Sequence, residues 1–206
     1  MRDQISEAAR TYDKIALKYL EKFYKPSDHI DRFISFLPKN GKVLDVGCGP
    51  GADSEYLKRK GFDVEGIDLS SKMIKLAKNR VKSIKFQVMD MRSLRYPDRY
   101  FDGLLAAFSL IHIPKKDTLK AIKELKRVLK LNGIIYLGLQ GGKGEKILEE
   151  PLNPKYKIFL HLFAMREIAG LLRKNGFKIL FTAKREPKNT KEFKFDKLFI
   201  IAKKLR

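Results

Sequence analysis

Residues Val43 to Gly51 read V-L-D-V-G-C-G-P-G, an apolar strand that runs through Asp45 into a loop with glycine at 47, 49 and 51. Glycines at this spacing let a strand turn sharply into a helix and bring bare backbone N–H groups against a ligand, because a Cβ would block the approach. The run therefore predicts a nucleotide-type binding loop inside a strand-loop-helix unit. Charge separates the candidate ligands. A dinucleotide pyrophosphate is doubly anionic, and Asp45 would point a carboxylate at it. S-adenosylmethionine carries an α-ammonium and a sulfonium, which a carboxylate attracts. Gly47, Gly49 and Ala52 also satisfy the loose G-x-G-x-x-G/A dinucleotide pattern, and a tight turn that binds nothing is the remaining reading. Asp45 favours S-adenosylmethionine.

Two further strands sharpen this expectation. Gly61 to Asp68, G-F-D-V-E-G-I-D, ends in an acid about 20 residues after the loop, where a nucleotide ribose lies in such a fold. Asp68 can accept both ribose hydroxyls. Ile84 to Met89 leads into Asp90-Met91; Asp90 can accept an adenine exocyclic amine while Met91 packs on the ring. Each acid alone also reads as a helix N-cap or a solvated loop residue, Asp90 most readily.

The chain alternates between the two hydrophobic periods. Helices are expected over 6–24, 28–37, 52–60, 71–80, 116–130 and 164–174, and strands over 42–46, 62–67, 84–89, 101–107, 133–139 and 178–183. Strands separated by helices demand right-handed crossovers and a mostly parallel sheet. Phe193 to Ala202 is expected to return as an antiparallel partner of the strand from Lys178. Gln140 to Tyr156 is the one long irregular stretch, and its glycines make Gly141 to Pro154 either a lid over a second substrate or an ordinary flexible loop. Beyond it, Tyr156, Phe159, His161 and Phe163 either line an acceptor pocket or pack as core.

Taken together, these motifs resemble the class I S-adenosylmethionine-dependent methyltransferases over nearly the whole chain. V-L-D-V-G-C-G-P-G is similar to that family's first motif, G-I-D-L-S to the second, Q-V-M-D-M to the third, and F-D-G-L-L-A-A-F-S-L-I-H-I-P to the fourth. The segment Y-D-K-I-A-L-K-Y resembles the N-terminal portion that closes over the cofactor in the small-molecule branch, and Leu131-Asn132-Gly133 stands where Pro-Gly is frequent. Asn also tolerates left-handed backbone, so that departure leaves the function untouched. The resemblance implies a single α/β domain, Rossmann-like, with a mostly parallel seven-stranded sheet, helices on both faces and a C-terminal antiparallel β-hairpin. Residues 1–40 would form a helical cap and 41–206 the catalytic core. It further implies cofactor contacts from Tyr12, Tyr19, Asp45, Gly47, Cys48, Gly49, Gly51, Asp68, Leu69, Met73, Asp90, Met91, Ala107 and Phe108.

Composition narrows the context. No run of 18 apolar residues exists, so no membrane span is expected; the first ten residues lack a signal-peptide core, which points to the cytoplasm. Cys48 is the sole cysteine and has no partner for a disulfide, and no metal is expected. With 45 Lys and Arg against 24 Asp and Glu, the net charge is +21, a field that draws in anionic substrates or RNA. In the helix from Lys115 the lysines read as the solvated face, with Leu119, Ile122, Leu125, Val128 and Leu129 as the buried stripe.

Methyl transfer is an in-line displacement, so the protein must align two substrates, exclude water and, for some acceptors, remove a proton. His112, just after the fourth strand, is the candidate general base, with an intrinsic pKa near 6.5; capping or packing among Ile111 and Ile113 is the competing role. No N-P-P-Y motif and no cysteine placed for pyrimidine methylation are present. The expected acceptor is a small molecule. RNA or protein docked on the basic surface, or a cofactor-binding scaffold without catalysis, are the alternatives.

Overall fold

The structure, a computed structural model, describes residues 3–205. Seven strands form one sheet: β1 (Lys42–Val46), β2 (Asp63–Asp68), β3 (Lys85–Val88), β4 (Phe101–Ala107), β5 (Leu129–Gln140), β8 (Phe177–Arg185) and β9 (Lys197–Lys204). Their order is β3-β2-β1-β4-β5-β9-β8, with β9 antiparallel to both its neighbours and the other pairings parallel. The order reverses between β1 and β4, and ligands in open α/β sheets bind at such a switch point, outside the carboxyl ends of the strands.

Burial explains the strand sequences. Val43, Leu44, Val46, Leu104, Leu105 and Ala106 are fully covered, because helices lie on both faces and neither side of β1 or β4 meets water. One face packs Leu44, Leu104, Ile135 and Leu137 against Ile122 and Leu125. The other packs Val43, Leu105 and Tyr136 against Phe33, Leu57 and Ile74.

The helices are α1 (Gln4–Phe23), α2 (Ile30–Ile34), α3 (Ala52–Arg59), α4 (Ser71–Arg80), α5 (Lys115–Val128) and α6 (Met165–Lys174). Asp3 caps α1 by accepting from Ile5 N–H, and Ser70 caps α4 by accepting from Met73 N–H at 3.1 Å. The expected helix over 28–37 shrinks to α2, entered through His29 in left-handed conformation (φ 64°). In α5, Leu119 is 40% exposed, and Thr118 and Ala121 take its place in the buried stripe. The helix stops at Val128 and the chain passes directly into β5, with the left-handed turn falling on Asn132 (φ 62°). The last strand begins at Lys197, four residues later than expected.

The stretch after Gln140 is not irregular. Residues Gly144–Glu150 (β6) and Asn153–Leu162 (β7) pair as an antiparallel hairpin separate from the main sheet. Thr11 of α1 donates to the Lys157 carbonyl at 3.4 Å, fixing the helix to this hairpin. Phe159, His161 and Phe163 are buried, with the last two rings 4.0 Å apart. Half-buried Tyr156 carries the Lys14 ammonium over its ring. All four are packing residues of the hairpin and line neither of the chambers described below.

Leu104→Ala, at a fully covered site in the central strand β4, should lower unfolding free energy by about 2–5 kcal/mol, read as a lower urea midpoint at unchanged slope.

Candidate active site

The first glycine loop is held by its neighbours. Gly47, Gly49 and Gly51 have φ of 73°, 51° and 91°. Gly47 N–H and Cys48 N–H both donate to the Ile67 carbonyl, at 2.7 and 2.9 Å. Ser109, just past β4, donates to the Val46 carbonyl at 2.6 Å. A Cβ on Gly47 would lie 2.2 Å from that of Ser109, so the seam between β1 and β4 closes only over glycine.

At the end of β2, Asp68 accepts from Gly49 N–H at 2.9 Å and from Ser70 N–H at 2.8 Å. It joins the loop to α4 and still lines a cleft of about 720 Å³ above the switch point. Gly47, Gly49, Leu69, Met73, Asp90, Met91, Ala107, Phe108 and His112 share that wall, with Tyr12 and Tyr19 of α1 opposite. Phe108 holds a left-handed conformation (φ 56°), with its N–H bonded to the Gly138 carbonyl; such backbone persists where the surroundings over-determine it.

Three expected residues lie off this wall. Asp45 is 2% exposed beneath the loop, where its carboxylate accepts from the Ser54 hydroxyl at 2.6 Å. Cys48 is buried among Gly66 and Phe86, and burial pushes its thiol well above the ordinary range, which removes it as a nucleophile. Gly51 packs on Ala77 and Phe86. Asp90 lines the cleft but is already engaged: its carboxylate accepts from Arg92 N–H, Nε and Nη2.

The electrostatics of the cleft run against those of the chain. Burial raises the carboxyl pKa values of Asp45, Asp53 and Asp68, and for Asp45 the neighbouring acids add to it. Asp53 accepts only from the backbone and hydroxyl of Ser27. Among the described residues none of the three has a cation within ion-pair distance. Buried and half-buried carboxylates left with neutral donors in a chain of net charge +21 favour a cationic ligand.

His112 sits in the 3₁₀ turn Leu110–His112, buried. Nδ1 lies 3.0 Å from the Phe159 carbonyl of β7, so Nδ1 carries the proton and donates. Nε2 then accepts from the Tyr12 hydroxyl, also at 3.0 Å. Burial lowers the imidazole pKa to about 4, rather than the intrinsic 6.5, and raises that of the Tyr12 phenol. At neutral pH the pair is therefore an uncharged imidazole and a protonated phenol.

Sequence reasoning missed Ile5, Ala8 and Ala9, which line the cleft a helical turn or two before Tyr12. Their spacing to Tyr12 and Tyr19 follows one face of α1, a signal present in the sequence. Ser109 was also missed, since only the folded seam reveals its proximity to Gly47.

Residues 43–133 match a family model described as a methyltransferase domain. The chain carries a class I S-adenosylmethionine-dependent methyltransferase domain. It is similar to a Bacillus subtilis methyltransferase, 36% identical over 118 residues that make up 54% of this chain and 48% of that protein. A demethylmenaquinone methyltransferase of Thermotoga maritima is 34% identical over 169 residues, 74% of this chain and 65% of the relative. The match thus spans about half to two thirds of these curated relatives. Among solved structures, a Methanosarcina mazei S-adenosylmethionine-dependent methyltransferase superposes with TM-score 0.77 at 26% identity, covering 88% of this chain and 99% of that one.

The histidine has a measurable consequence for stability. The unfolded chain takes up a proton on His112 near pH 6.5 and the folded chain only near 4, so this contribution is complete above 6.5 and declines as pH falls from 6.5 toward 4. The full loss is about 3 kcal/mol. Chemical denaturation between pH 7 and 5 should show a steeper decline in the unmutated chain than in His112→Asn.

Proposed function

We propose that this chain transfers the methyl group of S-adenosylmethionine to a small-molecule acceptor. The observation that carries the reading is a set of acids at the switch point of a strongly basic chain, Asp45 buried and Asp53 and Asp68 half-buried, that lack cationic partners among the described residues. A ligand bearing an ammonium and a sulfonium meets that need, and a pyrophosphate opposes it.

In this reading Asp68 takes the ribose hydroxyls, while Met91, Leu69 and Met73 pack the adenine. Asp90 serves the adenine amine with whatever acceptor capacity Arg92 leaves. The backbone of Ala107 and Phe108 faces the methionine portion. Asp45 acts through its field from beneath the loop, and Gly51 and Cys48 shape the loop without touching the ligand. Bound there, the cofactor supplies a methyl carbon activated by sulfonium.

The chain's own groups then bind, orient and move a proton. Because Nε2 of His112 is already bonded to Tyr12, a proton leaves the acceptor through the Tyr12 hydroxyl, which passes its own to Nε2. His112 is thus a positioning residue whose tautomer is set by the Phe159 carbonyl. Its low pKa favours a transient proton over a lasting one. The relatives reported above and the enclosure of the site beneath α1 support a small acceptor; an RNA or protein acceptor draws on net charge alone.

Titration calorimetry should show binding of S-adenosylmethionine and S-adenosylhomocysteine, and none of NAD. Comparable NAD affinity would sink the reading. Asp68→Ala should weaken cofactor binding by about 1–3 kcal/mol, the cost of unpaired polar groups.

Once screening supplies an acceptor, Tyr12→Phe and His112→Ala should each slow turnover about 10²-fold. The double variant should lose little more than either, with S-adenosylhomocysteine affinity nearly constant. The acid limb of the rate profile should fall near pH 4 rather than 6.5, since the base must be unprotonated to act. Additive losses, or an acid limb at 6.5, would reject the relay.

A further inference from the structure

A second chamber of about 800 Å³ shares Tyr12, Tyr19 and Phe108 with the cofactor cleft, so a molecule held there meets the cleft across those rings. Its buried end carries two acceptor side chains, one without a hydrogen bond and one without a cation among the described residues. Gln140, at the end of β5, is 4% exposed, and its Oε1 has no hydrogen-bond partner. Glu150, at the end of β6, is equally buried; Oε2 accepts from Leu152 and Asn153 N–H, and no ammonium or guanidinium comes within ion-pair distance among the described residues. Burial also raises the Glu150 carboxyl pKa.

The outer end is opposite in sign. Arg185 is spent on Asp28 and Glu192, and buried Lys197 donates to the Phe193 and Phe195 carbonyls. Lys25 and Lys191 are exposed and without carboxylate partners among the described residues. The Lys22 ammonium crowds Lys191 and lowers its pKa, an arrangement that an anion would relieve.

Resting on the methyltransferase reading, we propose that this chamber is the acceptor site and that the acceptor is an amine carrying an anionic group. The ammonium lies between Gln140 Oε1 and Glu150, and the anion lies against Lys25 and Lys191. A carboxylate or an unpaired amide carbonyl inside aromatic walls selects a donor-rich cation. The ammonium first gives one proton through the Tyr12 hydroxyl to His112 Nε2. The nitrogen lone pair then forms the N–C bond to the methyl carbon as the C–S bond breaks and its electron pair stays on sulfur. The products are a methylated ammonium and a neutral thioether.

The test is calorimetry on the full chain saturated with S-adenosylhomocysteine, with glycine, β-alanine, γ-aminobutyrate and 2-aminoethyl phosphate as probes, alongside their hydroxyl analogues. At least one amine should bind ten-fold or more tightly than its hydroxyl analogue, and the carboxylate and phosphate arms identify the anionic group. Glu150→Gln, which keeps an acceptor for the turn, should weaken that amine at least ten-fold and leave S-adenosylhomocysteine within two-fold. A Lys25→Ala/Lys191→Ala double variant should weaken it several-fold and flatten its salt dependence. Equal binding of hydroxyl analogues, indifference to Glu150→Gln, or no amine bound at millimolar concentration would overturn the acceptor assignment while the cofactor reading stands. Failure of S-adenosylhomocysteine to bind would overturn the cofactor reading itself.

Discussion

The contact between Gly47 and Ser109 is the constraint on which the site depends. β1 and β4 pair as far as Asp45 and Leu105, and the crevice beyond them is useful only if the two chain exits stay close. The Ser109 hydroxyl draws β4's exit onto the Val46 carbonyl, and the missing Cβ of Gly47 lets the backbones meet. From that seam Ala107 and Phe108 are aimed at the cleft, and the turn that follows delivers His112. The two hydrogen bonds that the Ile67 carbonyl accepts from Gly47 and Cys48 N–H extend the same clamp to β2, so three strand ends are tied together. Preorganisation of this kind spares a ligand the cost of ordering its own walls.

Charge is distributed by depth. The lysines of α5 lie outward, whereas the acids around the loop are buried or half-buried with only N–H and hydroxyl donors. A long-range positive field and a short-range demand for cations therefore coexist. The two respond differently to ionic strength, because burial limits screening.

Much of the cleft above the switch point was legible because its parts are local. The glycine loop, Asp68 and the strand-helix alternation are set by residues adjacent in sequence, and Tyr12 and Tyr19 sit on one face of a helix. The hairpin was not legible, because five of the seven residues of β6 are exposed and a strand without a buried face shows no alternation. Gln140 and Glu150 were invisible for another reason. Each is an ordinary polar residue until the end of β5 and the hairpin converge on α1. Asp45, conspicuous in the motif, turns beneath the loop because Ser54 supplies its donor, which the sequence pattern does not encode.

The bond from His112 Nδ1 to the Phe159 carbonyl places a chemical decision in a main-chain atom. A carbonyl of β7 reads the same whatever side chain the position carries, provided the strand keeps its register. The exposed residues of the outer strand β6 are thus free to change in sequence without disturbing the tautomer that Tyr12 depends on. Pairing register in β6 and β7 is what selection must preserve there. A shift of β7 that carried the Phe159 carbonyl away from His112 Nδ1 would release the tautomer, and the defect would appear at Tyr12, on another element altogether.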